Sequence, residues 1–181
     1  AHQAAQTREL LRELQPVPHL ADAVAAAREA LLGAGPSIGV HLRHGNGGDI
    51  LNHARYWGDG LAVHRVLSSV RHARQVLGDE APVLVCTDSP DVLAAMQTLL
   101  PGVRAVAKRF RAAGEGELHL WSEAAATVEH TFVEMFLLAH TTVLVRMPPG
   151  SYFSAPAALL KAPAPAELLV PARTALDPAV S

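Results

Sequence analysis

The sequence has 181 residues, half of them hydrophobic and 18% charged, which fits one domain with a sizeable core. A formal net charge of -2 and an aromatic content of 4% argue against a nucleic-acid partner, which needs a basic surface and aromatic rings for base stacking. The single cysteine excludes a disulfide framework. No apolar run is long enough to span a bilayer, and no signal peptide opens the chain. We therefore expect a cytoplasmic protein.

The first 35 residues predict a helical lead-in. A short helix over 1–15 is ended by Pro16, and an Ala- and Leu-rich helix over 19–32 is ended by Gly33. We interpret both helices as scaffold.

A strand and a glycine-rich turn follow the lead-in. Residues 37–42 are a short apolar run with β-branched side chains, which predicts a buried strand. Residues 43–49 cannot continue it as strand or helix, because their glycines cost too much chain entropy. A polar turn at a strand end is where an open α/β sheet binds its ligand. Arg43 offers a planar, permanently charged fork suited to a diphosphate, and the alternative is that it caps a helix or pairs with a carboxylate.

Helices and strands then alternate to the end of the domain. The predicted helices cover 59–77, 91–100, 119–140 and 152–161, and the predicted strands cover 82–87, 103–106 and 142–145. The remaining Pro- and Ala-rich tail has one candidate strand at 168–170. The alternation suits βαβ crossovers and predicts a Rossmann-like open parallel sheet with helices on both faces.

Three polar loops, 43–49, 88–89 and 146–151, follow predicted strands. Because the carboxyl ends of parallel strands share one edge, these loops converge, which indicates a nucleotide site. Asp88 can cap the next helix, or it can accept hydrogen bonds from nucleotide hydroxyls, and the two roles are compatible. The basic cluster 108–111 can approach a phosphate, but a solvated loop is the favoured interpretation.

Three stretches, in order and at matching spacing, resemble the NodZ-type nodulation fucosyltransferases, bacterial relatives of the α-1,6-fucosyltransferases. They are HLRHGNGGDI at 41–50 with the following His53 and Tyr56-Trp57, VCTDS at 85–89, and EMFLL at 134–138 running on to VRMPPGS at 145–151. The likeness implies the C-terminal, donor-binding half of a GT-B-like glycosyltransferase. It places a nucleotide-sugar-binding domain at 36–162, between the lead-in and a tail at 163–181. A large N-terminal half precedes this region in the resembling enzymes, so we expect a fragment.

The resemblance implies roles for individual side chains. Arg43 matches the arginine that holds the donor diphosphate, and His41 and Glu134 match the positions that read guanine. A carboxylate is chemically apt there, since it accepts from the N–H groups of the base; the alternative for Glu134 is a charge on the helix surface. The other residues assigned to the donor pocket are Asn46, Gly150, Ser151 and, from its strand-end position, Asp88.

The general base and the metal requirement are two further expectations. An inverting transfer needs a carboxylate or imidazole near the acceptor hydroxyl, and the candidates are Asp49, His44 or a residue of the N-terminal half. No H-E-x-x-H or Cys/His cluster accompanies the 10 histidines. We therefore expect no metal, with Arg43 and backbone donors meeting the leaving-group charge as in the resembling enzymes.

The expected function is transfer of fucose from GDP-fucose to a sugar hydroxyl of an oligosaccharide acceptor, with inversion and without a metal or other cofactor. One alternative is a non-catalytic or truncated GDP-sugar-binding module that lacks the acceptor half. Another is a Rossmann-like scaffold that binds a partner protein and no ligand.

Overall fold

The computed structural model of the chain describes residues 9, 11, 13–44, 61–110, 125–147, 154–160 and 166–169. Within these ranges the chain forms helices α1 (Pro18–Leu31), α2 (Leu61–Leu77), α3 (Pro90–Leu99), α4 (Ala125–His140) and α5 (Ser154–Ala157). The strands are β1 (Ile38–Leu42), β2 (Val83–Thr87), β3 (Val103–Arg104), β4 (Val143–Met147) and β5 (Ala166–Leu169). Across the described ranges, no helix is both long enough and apolar enough to cross a membrane.

The strands form one parallel sheet in the order β3-β2-β1-β4-β5, which confirms the predicted Rossmann-like architecture. The chain moves outward from β1 through β2 to β3, then crosses back to place β4 on the other side of β1. The strand order therefore reverses between β1 and β4, and the crevice outside the carboxyl ends at such a reversal is where open α/β sheets bind ligands. In the register of the sheet, His41 lies opposite Cys86 of β2 and Arg146 of β4.

Helices cover both faces of the sheet, as predicted. Ile38, Val40 and Leu42 alternate along β1 and pack with the buried side chains of α2 and α3. The opposite face packs with α1, α4 and α5, and its core includes Leu84 and Leu144. Strands buried on both faces read as continuous apolar runs, which is why the sequence of β1 and β2 shows no polar alternation. Each fully buried aliphatic side chain contributes about 2 kcal/mol of transfer free energy.

Gly39 of β1 lies in close contact with residues at the end of α4. A Cβ built at Gly39 would lie 2.8 Å from Thr141 Oγ1 and 3.0 Å from Leu138 Cδ2. The Thr141 hydroxyl is itself held, because it donates to the Leu138 carbonyl at 2.7 Å. Ser37 N donates to Thr142 Oγ1 at 3.1 Å, so the end of α4 is tied to the start of β1. This contact requires a residue without a side chain.

The last two strands depart from their predicted bounds. The sequence predicted a strand over 142–145 with Arg146 in its terminal loop, but β4 continues to Met147. The extension follows from pairing with β1, since Arg43 N donates to the Met147 carbonyl at 3.0 Å. β5 lies in the predicted tail, where only a candidate strand at 168–170 was expected, and pairs with β4. The sheet thus extends past the last predicted helix.

Candidate functional site

Arg43 and Asp88 join the carboxyl ends of β1 and β2. Arg43 Nη1 lies 3.3 Å from Asp88 Oδ2, and the two side chains are 31% and 12% exposed. The other carboxylate oxygen, Oδ1, accepts a hydrogen bond from His44 N at 2.7 Å. Arg43 therefore pairs with a carboxylate, which was one of the alternatives that the sequence left open. A guanidinium carries five N–H donors, more than one carboxylate engages, so this pairing is compatible with anion binding.

Ser89, and not Asp88, caps α3. Ser89 has an extended backbone, its Oγ accepts from Val92 N at 3.4 Å, and Pro90 is the first helical residue. The capping role weighed for Asp88 is therefore wrong. The physical reason is that Ser89 occupies the position directly before the helix, where a short side-chain oxygen reaches the first-turn N–H groups. Asp88, one residue earlier, faces the neighbouring loop instead.

His41 is buried in β1 among positive charges, with 5% of its surface exposed. Its pKa is lowered from 6.5 to about 3, first by burial and then by Arg43, Lys108 and Arg146. The imidazole is therefore neutral near pH 7, with one N–H donor and one acceptor nitrogen. Such a ring can hydrogen-bond a nucleotide base, whereas it cannot serve as a cation for the phosphates.

Glu134 of α4 is buried and paired with Lys108. Lys108 Nζ lies 2.7 Å from Oε1 and 2.8 Å from Oε2, and the two side chains are 15% and 5% exposed. The helix-surface alternative for Glu134 is therefore wrong, and so is the solvated-loop interpretation for Lys108. Burial raises the pKa of the Glu134 carboxyl and Asp88 adds to the rise, while Lys108 opposes it. A buried carboxylate needs such a partner, because desolvation of a lone charge costs several kcal/mol.

Two site cations, Lys108 and Arg146, were not among the predicted site residues, although the cluster 108–111 was weighed as a phosphate contact and Arg146 begins one of the three polar loops. Arg146 is buried inside the β4 run VLVRM, and a charge within an apolar strand is itself a signal, since a buried charge must be compensated. Lys108 follows β3, so it lies after the carboxyl end of a strand, like the other loops of the site. This position could have identified it as a candidate site residue.

Four of the predicted site residues lie outside the described residues, so their roles stay predictions. They are Asn46, Asp49, Gly150 and Ser151. Within the part of the chain that the structure describes, no group of three or more His, Cys, Asp or Glu side chains is arranged to hold a metal ion.

The site thus combines three cations with acceptors for N–H donors. Arg43, Lys108 and Arg146 all act electrostatically on neutral His41 at the carboxyl edge of the sheet. Glu134 and Asp88 supply carboxylate oxygens to the same region. The set suits a ligand that carries both an anionic group and a polar ring, as a nucleoside diphosphate does.

Comparison with known proteins points to one family. A family model described as Nodulation protein Z (NodZ) matches residues 2–177. The Nodulation protein Z of Azorhizobium caulinodans is 42% identical over 119 residues, which make up 65% of this chain and 36% of that protein. The fold is similar to a crystal structure of fucosyltransferase NodZ from Bradyrhizobium, with a TM-score of 0.63 and 28% identity. It is also similar to NodZ alpha-1,6-fucosyltransferase soaked with GDP-fucose, with a TM-score of 0.61 and 26% identity. Each alignment covers 84% of this chain and 45% of the crystallised one. This chain therefore spans less than half the length of these three proteins.

Proposed function

This chain belongs to the Nodulation protein Z family, and we propose that its sheet forms the donor-binding part of a GDP-fucose-dependent fucosyltransferase. In the whole protein, fucose passes from GDP-fucose to a sugar hydroxyl of an oligosaccharide acceptor, with inversion at the anomeric carbon and without a metal. GDP-fucose is a substrate, and the proposal includes no other cofactor. The similarity to a NodZ crystal soaked with GDP-fucose supports this donor.

The observation that carries the proposal is the cationic edge of the sheet beside the reversal between β1 and β4. Burial is the largest cause of the low pKa of His41, and Arg43, Lys108 and Arg146 lower it further, so these three cations lie near enough to His41 to attract an anion bound beside it. A nucleoside diphosphate brings its charge to such a crevice in open α/β sheets. This positive charge is local to the site, because the whole chain has a net charge of -2.

In this proposal Arg43 binds the diphosphate. Negative charge builds on GDP as the bond between fucose and phosphate breaks, and a guanidinium placed beforehand stabilises it. Loss of one such charge-assisted donor costs about 3 kcal/mol of transition-state stabilisation. Asp88, which pairs with Arg43 at 3.3 Å, limits the orientations open to the guanidinium.

Guanine and the acceptor hydroxyl require different groups of the protein. His41 offers a neutral ring and Glu134 a carboxylate for guanine, whose N1–H and N2–H₂ groups are adjacent donors. We assign deprotonation of the acceptor hydroxyl to Asp49, with His44 as its competitor. The remaining residues proposed to contact the donor are Asn46, Asp88, Gly150 and Ser151.

Calorimetric titration with GDP, with UDP and ADP as controls, tests the donor site. We expect selective GDP binding that Arg43→Ala weakens about 10- to 100-fold, since a hydrogen bond to a charged group is worth about 1.5–3 kcal/mol. Arg28→Ala is the matched control, because this exposed arginine lies in the last turn of α1, which leads to the amino edge of the sheet. Equal binding of the three nucleotides would contradict the guanine assignment, and unchanged binding by Arg43→Ala would contradict the diphosphate assignment.

Transfer itself is tested with GDP-fucose and an oligosaccharide acceptor in the whole protein. Release of GDP together with fucosylated product supports the transferase. GDP-sugar binding without transfer would favour a non-catalytic GDP-sugar-binding module. Cell fractionation tests the cytoplasmic location predicted from the sequence.

A further inference from the structure

The function proposed above uses only the positive charge of Lys108, although this residue also contacts the residue proposed to read guanine. Its Nζ lies 2.7 and 2.8 Å from the two carboxylate oxygens of Glu134, and its side chain is 15% exposed. The ammonium also lies 5.2 Å from the centre of the Phe110 ring, so it is held from two sides. A cation that contacts both oxygens fixes the orientation of a carboxylate as well as its charge.

Glu134 occupies a position where an ionised carboxylate needs this support. Its neighbours on α4 include Val133, Leu137 and Leu138, which belong to the apolar core on this face of the sheet. Burial raises the pKa of the Glu134 carboxyl, Asp88 raises it further, and Lys108 lowers it. Protonation would turn one of the two oxygens into an O–H donor, so the carboxyl could no longer accept from two adjacent N–H groups of a base with both oxygens.

We propose that Lys108 is a positioning residue for base recognition: it holds Glu134 as an oriented carboxylate whose remaining lone pairs accept from adjacent N–H donors of a purine. This inference rests on the proposed function and extends it to base specificity. A carboxylate has about four lone-pair sites, so Lys108 stays in place while the base binds. Guanine offers N1–H beside N2–H₂, whereas hypoxanthine offers N1–H alone and adenine has an acceptor at N1. The held carboxylate therefore favours GDP over IDP and over ADP.

The other titratable and charged groups of this region of the site come from each neighbouring element. β1 and its loop contribute His41 and Arg43, β2 and its loop contribute Cys86 and Asp88, β4 contributes Arg146, and His130 lies one turn earlier on α4. His41 has a pKa of about 3, and burial raises the pKa of the Cys86 thiol well above 9.0, so neither changes charge between about pH 5 and pH 8. Every variant retains all of these groups, so a difference between variants reports on Lys108 and Glu134.

The test is GDP affinity against pH for the wild type, Lys108→Met, Lys108→Arg and Glu134→Gln. Without Lys108 the pKa of Glu134 rises further, so as the pH falls the loss of GDP affinity should begin at a higher pH in Lys108→Met than in the wild type, and it should reach up to about tenfold per pH unit. The same variant should lose preference for GDP over IDP. Lys108→Arg should keep the pH profile of the wild type, and Glu134→Gln should bind GDP weakly with no such loss as the pH falls.

A purely structural Lys108 would give a different result, because Lys108→Met would then weaken GDP binding by the same factor at every pH. That outcome, or an unchanged affinity, overturns the inference while leaving the proposed function in place. No GDP binding by the wild type at any pH overturns the proposed function itself, and this inference with it.

A comparison of Lys108→Met with the double variant Lys108→Met/Glu134→Gln separates the effect of charge from an effect on folding. If only the double variant folds, the unpaired Glu134 charge causes the defect, as the inference requires. If neither folds, Lys108 acts through packing and the inference is wrong. The carboxyl ¹³C shift of Glu134, titrated without nucleotide, should show a higher pKa in Lys108→Met than in Lys108→Arg, and equal values would also overturn it.

Discussion

Replacement of Gly39 by alanine should destabilise the fold through one identified contact. The added Cβ would lie 2.8 Å from Thr141 Oγ1, 2.9 Å from Thr141 Cγ2 and 3.0 Å from Leu138 Cδ2. Contacts this short are repulsive, so either the side chains or the backbone of α4 must shift. Thr141 cannot simply rotate away, because its hydroxyl donates to the Leu138 carbonyl at 2.7 Å.

The size of the effect follows from the cost of overpacking a close-packed interior. Forcing one extra methyl group into such a core costs typically 1–3 kcal/mol, and we expect about 2 kcal/mol for Gly39→Ala. For a domain of this length, that loss corresponds to a decrease of about 6 °C in the melting temperature.

Urea denaturation followed by circular dichroism measures this loss. Gly35→Ala is the matched control, because a Cβ at Gly35 meets nothing within 4 Å and the residue lies just before the same strand. Thr141→Ala removes the two closest side-chain atoms, so it should recover part of the loss when combined with Gly39→Ala. The reasoning is refuted if Gly39→Ala is as stable as Gly35→Ala. It is also refuted if the losses of unfolding free energy caused by Gly39→Ala and by Thr141→Ala simply add in the double variant.

Two further predictions concern the cap of α3 and the buried imidazole. Ser89→Ala should lower the free energy of unfolding by about 1 kcal/mol, since it removes the acceptor for Val92 N, and an unchanged urea midpoint would contradict the capping assignment. His41 has a folded pKa of about 3 against an ordinary 6.5, so between these values the unfolded chain binds more protons and stability falls as the pH falls. The stability contributed by the neutral ring is fully present above pH 6.5. His41→Gln should therefore reduce the slope of the unfolding free energy against pH below 6.5, by up to about 1.4 kcal/mol per pH unit. An unaltered slope would speak against a buried neutral ring.

Local sequence patterns predicted the elements around the site well. The apolar β-branched runs predicted β1 and β2, and the helix predicted over 59–77 corresponds to α2 (Leu61–Leu77). Such patterns succeed because strand and helix preference depends on neighbours within a few residues. The polar positions after β1 and β2 were also recognisable, because Arg43 and Asp88 directly follow the strand ends.

Distant contacts were not available from those patterns. The alternation of helices and strands predicted a parallel sheet, but the order β3-β2-β1-β4-β5 was left open, and this order decides which loops meet. Lys108 read as part of a solvated basic cluster, yet it pairs with Glu134, 26 residues away. The bounds of β4 were likewise wrong, because pairing with β1 across the sheet extends it to Met147.

The sequence by itself determined the fold class, the family and the identity of Arg43, His41 and Glu134 as candidate site residues, since these depend on short motifs and local periodicity. Only the tertiary structure decided the partners of those residues: Asp88 for Arg43, and Lys108 for Glu134. The physical reason is that a charge in a buried crevice takes its state from whatever the fold places within a few ångströms. Those neighbours come from different strands, and their approach is set by sheet order and helix packing.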